Sequence, residues 1–231
     1  MIRAMVPVIG ALTLMLPAAA LADPVQDQVV AGAKAVSPTG YAFTQTTRVE
    51  RSGSAAKTFV SRYDPARPVG QRWSLVSIDG KPPSAKEAAD AAKATRTQDV
   101  PSYAEIAKYF GGAATRIAQT PTSATYRFAR LPKGVVMIGK HDASADTVAD
   151  ALVDLSGRVP VVTRVRFVST TAFRMALVVK VERYVVVATY RPGPDGHPVP
   201  DAATAEMTGS LLGKAGTLTV RTGFADVRAA R

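Results

Sequence analysis

The chain of 231 residues is 47% hydrophobic and 20% charged, a globular composition that excludes a disordered or fibrous protein. It has no cysteine, which removes disulfide frameworks, thiolate metal sites and an acylated cysteine anchor. Its 29 Lys and Arg against 18 Asp and Glu give a formal charge of +11, suited to an anionic membrane surface or an acidic protein partner, or simply to a solvated exterior. Nucleic acid is not expected as a partner, because no arginine-rich run with interleaved aromatics occurs.

Residues 1–22, MIRAMVPVIGALTLMLPAAALA, follow the plan of a secretory signal peptide. Arg3 supplies the charge, Ala4 to Leu16 the apolar run, and Ala20-Leu21-Ala22 the small-residue exit. The run is shorter than the ~20 residues a spanning helix needs, and Pro7 and Gly10 interrupt it. Cleavage is expected after Ala22, leaving one domain over 23–231. An exported chain without disulfides suits a periplasmic location.

Within 23–231, Val25, Val29, Ala33 and Val36 recur at helical spacing until Ser37-Pro38 ends the run. From Tyr41 the period changes to two: YAFTQTTR, TFVSRYD and QRWSLVSID read as three strands separated by RSGSAAK and the proline-bearing DPARPVG. Ser84 with Glu87 three residues on is a capping box opening an alanine-rich helix, SAKEAADAAKA. Ser102 with Glu105 opens a second, SYAEIAKYF, stopped by Gly111-Gly112. Strands then continue: TRIAQT, SATYRFARL, GVVMIG, TVADALVDL and VPVVTRVRFVS, the last two hinged at Ser156-Gly157. VVKVERYVVVATYR, DAATAEMTGSLLG and GTLTVRTGFADVR close the chain, with Asp195-Gly196 as the first turn. The helical pattern of Val148, Leu152 and Leu155 competes with strand there, and the hairpin signal favours strand.

The expected fold is mainly β (α+β): a curved antiparallel sheet forming an incomplete barrel, with an N-terminal helix and a helical insertion covering the concave face. Catalytic signatures are lacking, and no enzyme, cofactor or metal is expected. His141 and His197 fall in predicted loops without a third ligand, no G-x-S-x-G elbow occurs, and Asp150, Asp154 and Glu206 read as outward carboxylates on a half-exposed sheet. What remains is apolar surface. Tyr41, Phe43, Phe59, Trp73 and Leu75 fall on the early strands, and Trp73 and Leu75 share a face. An interior lined by them is either an open cavity for acyl chains or a filled core.

The short helix, then YAFTQT, then Arg67-Pro68 with Trp73 six residues after the arginine, then Asp79-Gly80-Lys81, resembles the outer-membrane lipoprotein carriers of the LolA/LolB type. The resemblance implies a half-barrel under helices whose apolar interior receives the acyl chains of lipoproteins crossing the periplasm. Without an acylated cysteine the chain is more similar to the soluble carrier. On that resemblance Arg67 matches the arginine that gates the helical lid, and Trp73 lines the cavity. The expected ligand-binding set is therefore Tyr41, Phe43, Phe59, Arg67, Trp73 and Leu75, with a lipid or acylated ligand as partner. The expected function is a periplasmic, non-enzymatic carrier or binding protein for an acyl-bearing or amphipathic ligand. The alternative is an envelope interaction domain with a filled core and a basic partner-binding surface.

Overall fold

The computed structural model describes residues 23–37, 39–96, 100–175 and 179–230, and the expected signal peptide lies outside them. Helix α1 (Pro24–Ala35) begins where Asp23 accepts a hydrogen bond from the Val25 amide (3.0 Å) and Pro24 occupies the first turn, where its missing N–H is no loss. Its buried residues Val29 and Ala33 are one turn apart, so one face meets the core. Three strands follow: β1 (Tyr41–Arg51), β2 (Lys57–Tyr63) and β3 (Trp73–Ile78). Helix α2 (Ala85–Thr95) carries the expected reciprocal Ser84–Glu87 capping box. The second helical segment is a 3-10 turn (Tyr103–Ile106) running into a single α-turn, α3 (Ala107–Phe110), with Ser102 as its cap.

Strands β4 (Thr115–Gln119) and β5 (Ser123–Phe128) lead to a two-residue hairpin, β6 (Met137–Ile138) with β7 (His141–Asp142), which is all of GVVMIG that pairs. Then come β8 (Thr147–Asp154), β9 (Val161–Ser169), β10 (Phe173–Met175), β11 (Val179–Pro192), β12 (Pro198–Leu211) and β13 (Lys214–Ala229). Eleven strands form one antiparallel sheet in the order β3-β2-β1-β13-β12-β11-β9-β8-β5-β4, with β10 also paired to β11. It is curved and unclosed, its ends being the edge strands β3 and β4. The mainly β architecture expected from the sequence is therefore present.

Register assigns every side chain to a face. In β8, Thr147, Ala149, Ala151 and Val153 are buried and alternate with residues that are not. Two alanines here leave depth for the helical segment's rings. Phe110 stands 5.4 Å from Tyr126 and 5.1 Å from Phe128, and Tyr109 stands 5.5 Å from Phe128 and 5.8 Å from Phe167. Edge-to-face and tilted rings at these separations add to the burial itself. Two further bonds fasten the segment. The Tyr103 hydroxyl accepts from the Val162 amide (2.8 Å), and the Gln26 side chain donates to the carbonyls of Phe110 and Gly112 (2.5 Å each).

The N-terminal helix is tied to the far edge of the sheet through Asp23. Its second carboxylate oxygen accepts from Arg116 (2.5 Å) and from the Tyr126 hydroxyl (2.8 Å). Burial works to raise the Asp23 pKa, but bonds from Arg116, Tyr126 and the Val25 amide outweigh it and leave the group below its ordinary value. A depressed folded pKa contributes stability above the unfolded value of about 3.9, lost as pH falls through the folded pKa. Asp23→Ala should cost about 1–2 kcal/mol at pH 7, and the deficit against wild type should shrink below about pH 4, as read from denaturant midpoints across pH.

Candidate functional site

Where the helices sit decides which part of the concave face is available. Helical contacts on the sheet fall on β9 for α1, on β12 for the 3-10 turn and on β3 for α2. Beneath α1 and the Tyr103–Phe110 segment the core is filled, running from Val29 and Ile106 to Val165 and Tyr184. The part of the insertion that forms α2 differs from the rest: none of its residues is buried, and it lies beside the edge strand β3.

Across β11, β12, β13, β1 and β2 the same face continues beyond the helices. One register row runs Val186, Ala205, Val220, Val49, and the next runs Ala188, Ala203, Thr222, Thr47, Phe59, Ile78. Leu218 and Leu75 extend the patch on either side. Val49, Phe59, Leu75, Ala205, Leu218 and Val220 are only half-buried and belong to neither hydrophobic core. Alanines at the centre of the floor give it depth. The result is an apolar trough, open to solvent.

One end of the trough is closed by a second, small core of Phe43, Tyr63 and Trp73, with Val100, Phe224 and Val227 against it. Phe43 stacks on Tyr63 at 5.2 Å and meets Trp73 edge-on at 5.6 Å and Phe224 at 5.5 Å. Trp73 is 8% exposed and Tyr63 1%. The indole is therefore packed among rings and does not face an empty lipid-sized cavity. Three polar atoms at this end, Tyr63 Oη, Trp73 Nε1 and Gln45 Oε1, are buried without a hydrogen-bond partner among the described residues. Each costs about 1–3 kcal/mol while unmet.

A small, partly open cavity between the two cores, lined by Val36, Tyr41, Phe43, Tyr103, Val199 and Phe224, holds about 10 Å³, enough for no more than a water. A larger cleft of about 340 Å³ lies at the β1–β13 bulge, but Thr44, Arg62, Asp226 and Arg228 make it polar. An acyl chain fits neither.

Of the residues singled out in the sequence, Phe43, Phe59, Trp73 and Leu75 come together on the concave face, Phe43 and Trp73 in the aromatic end and Phe59 and Leu75 on the trough floor. Tyr41 stands apart, at the small cavity, its hydroxyl donating to Asp195 in the β11–β12 turn (2.7 Å). Arg67 lies in the β2–β3 turn with its side chain 57% exposed, 3.7 Å from Asp64. Sequence reasoning missed Tyr63, Gln45 and Phe224. Tyr63 shares a face with Phe59 by simple alternation and was legible. Phe224 arrives from the far end of the chain through the β1–β13 pairing, which no local pattern announces.

Two of the carboxylates weighed for catalysis have structural partners instead. Asp150 takes a two-pronged bond from Arg127 (2.7 and 2.8 Å), which holds its carboxyl below the usual range. Asp154 caps the Ser156 turn, and His141 stacks on Phe173 at 4.4 Å. Among the described residues no three His, Cys, Asp or Glu gather as metal ligands, and no helix is long and apolar enough to cross a membrane.

The fold and trough define an open antiparallel half-barrel with a helical cover over one half and bare apolar floor over the other. No family model matches the sequence, and no curated protein matches it. Among solved structures it is similar to a LolA superfamily protein from Nitrosomonas europaea, at 10% identity and a TM-score of 0.38, over 91% of this chain and 94% of that one.

Proposed function

We propose that this chain is a non-enzymatic binding or carrier protein of the periplasm for an acyl-bearing, amphipathic ligand that lies in the open trough. The supporting observation is the contiguous apolar floor from Ala205 through Val220 and Val49 to Phe59, half-buried and outside both cores. Such a surface is unfavourable in water at about 25 cal/mol per Å², and covering it with a chain of methylenes recovers that free energy. An ester, amide or carboxyl group on the ligand would find two donors, Tyr63 Oη and Trp73 Nε1, and one acceptor, Gln45 Oε1, at the aromatic end, reached by displacing Val100. In this reading the ligand lies on the trough floor, with Phe59 and Leu75 beneath it and Phe43 and Trp73 at its end. Arg67 is left outside the contact set.

An envelope interaction domain is the second reading, favoured by the filled core beneath α1 and α3. A fatty-acid probe carrying a dansyl group separates the two. Probe emission should rise on binding to wild type, and Ala205→Glu on the floor should weaken binding about tenfold or more by setting a charge against the chain. Thr204→Glu, one residue away on the opposite face, should leave it unchanged. No response from wild type, or equal losses in both variants, would favour the interaction domain.

A further inference from the structure

The end of the sheet opposite the aromatic cluster carries a different feature. Strands β12 and β13 are joined by a two-residue turn, Leu212-Gly213, flanked by the paired residues Leu211 and Lys214. Both turn residues have positive φ, +51° and +79°. Turns of this kind favour Asn-Gly or Gly-Gly, because a bulky side chain in the left-handed region is strained. Here a leucine occupies the strained position and is 74% exposed, with Leu211 beside it 54% exposed. Residues strained for no packing gain point to a role outside the fold.

The surroundings identify that role. Register places Arg51 (end of β1), Lys214, Arg183 and Arg174 at this same end of the sheet. Among the described residues none of these four is in an ion pair, whereas Lys57, at the start of β2, faces the Glu87 carboxylate. Lys180, nearby, is matched by Glu182, and Glu50 is occupied by Arg48 and Arg221. The end is thus two projecting leucines ringed by unmatched cations.

We propose that the Leu211–Leu212 hairpin tip, with Arg51, Arg174, Arg183 and Lys214 around it, docks this protein on an anionic lipid bilayer. A projecting apolar tip needs a medium that yields around it, which acyl chains do, whereas a folded protein partner would need a matching pocket. The cations then meet lipid phosphates at the depth where the leucines pass the head groups. The inference stands apart from the carrier reading, and its test uses a different ligand.

Flotation with vesicles of phosphatidylglycerol and phosphatidylcholine, against phosphatidylcholine alone, measures it. Wild type should bind the anionic vesicles and lose most of that binding as salt rises past ~0.1 M, where the Debye length is ~10 Å. Leu212→Asn is the decisive variant, because it installs the favoured Asn-Gly turn: the melting temperature should hold or rise while vesicle binding falls about tenfold. Lys214→Glu should weaken binding and flatten its salt dependence. Val69→Ser, which removes an exposed apolar residue in the β2–β3 turn at the opposite end, should change nothing. Dansyl fatty-acid binding should be unaffected by Leu212→Asn, so failure of docking is distinguishable from failure of the carrier reading. Equal binding to neutral vesicles, absence of vesicle binding, or equal loss in Leu212→Asn and Val69→Ser would overturn the proposal. So would capture by polyglutamate, in place of vesicles, that survives Leu212→Asn, which is the signature of an acidic protein partner.

Discussion

Phe110→Ala is expected to lower the unfolding free energy by about 3–5 kcal/mol and the melting temperature by about 10 °C. Phe110 is fully buried, and its ring is the point where the helical segment, β5 and the β8 floor meet. Truncation removes the transfer free energy of the ring and leaves a void. The backbone cannot move in to fill it, because Gln26 holds the Phe110 and Gly112 carbonyls. Phe110→Leu, which keeps most of the volume, should cost less than about 1.5 kcal/mol. Denaturant unfolding followed by far-ultraviolet dichroism measures both. A loss under about 1 kcal/mol for the alanine variant would show that the helical cover is not packed as described.

Trp73→Ala is expected to cost about 3 kcal/mol, at the low end for a buried aromatic, because the second core is small and the indole N–H already lacks a partner. Its neighbour gives the sharper result. Tyr63→Phe deletes a buried hydroxyl that has no partner among the described residues while keeping the ring stacked on Phe43, so stability should hold or rise by about 1 kcal/mol. In the carrier reading the same change should weaken binding of the dansyl fatty acid, since it removes one of the donors at the aromatic end. Stability and binding would then move in opposite directions. A Tyr63→Phe variant destabilised by more than about 1 kcal/mol would mean that the hydroxyl is satisfied in the folded protein.

The elements of this fold were legible wherever a local pattern carries them. The spacing of Val25, Val29 and Ala33 and the Ser84–Glu87 capping box announce their helices, because periodicity and capping are matters of a few neighbouring residues. Alternation in TVADALVD announces β8, and Ser156-Gly157 and Asp195-Gly196 announce turns. GVVMIG was overread: an apolar run resembles a strand, but positive-φ glycines at 134 and 139 confine pairing to Met137 and Ile138. The alanines and the cap of α2 make it legible as a helix, and in the structure none of its residues is buried. The candidate site divides in the same way. Phe59 and Leu75 follow from alternation, whereas Val220, Ala205 and Phe224 join them only through pairings set by the whole topology.

The pairing of β1 with β13 also bears on how the chain is made. Every other neighbouring pair in the sheet is close in sequence, whereas Tyr41 meets Ala229 across about 190 residues, and the Ala230 amide donates to Gly40 (2.7 Å). The β1–β3 unit emerges first and must wait, with the β1 edge unpaired, until the last strand arrives. Closing so long a loop is slow, and in that interval the vacant edge accepts any identical β13, including one from another molecule. A higher concentration during folding therefore favours exchange of β13 between two chains over closure within one.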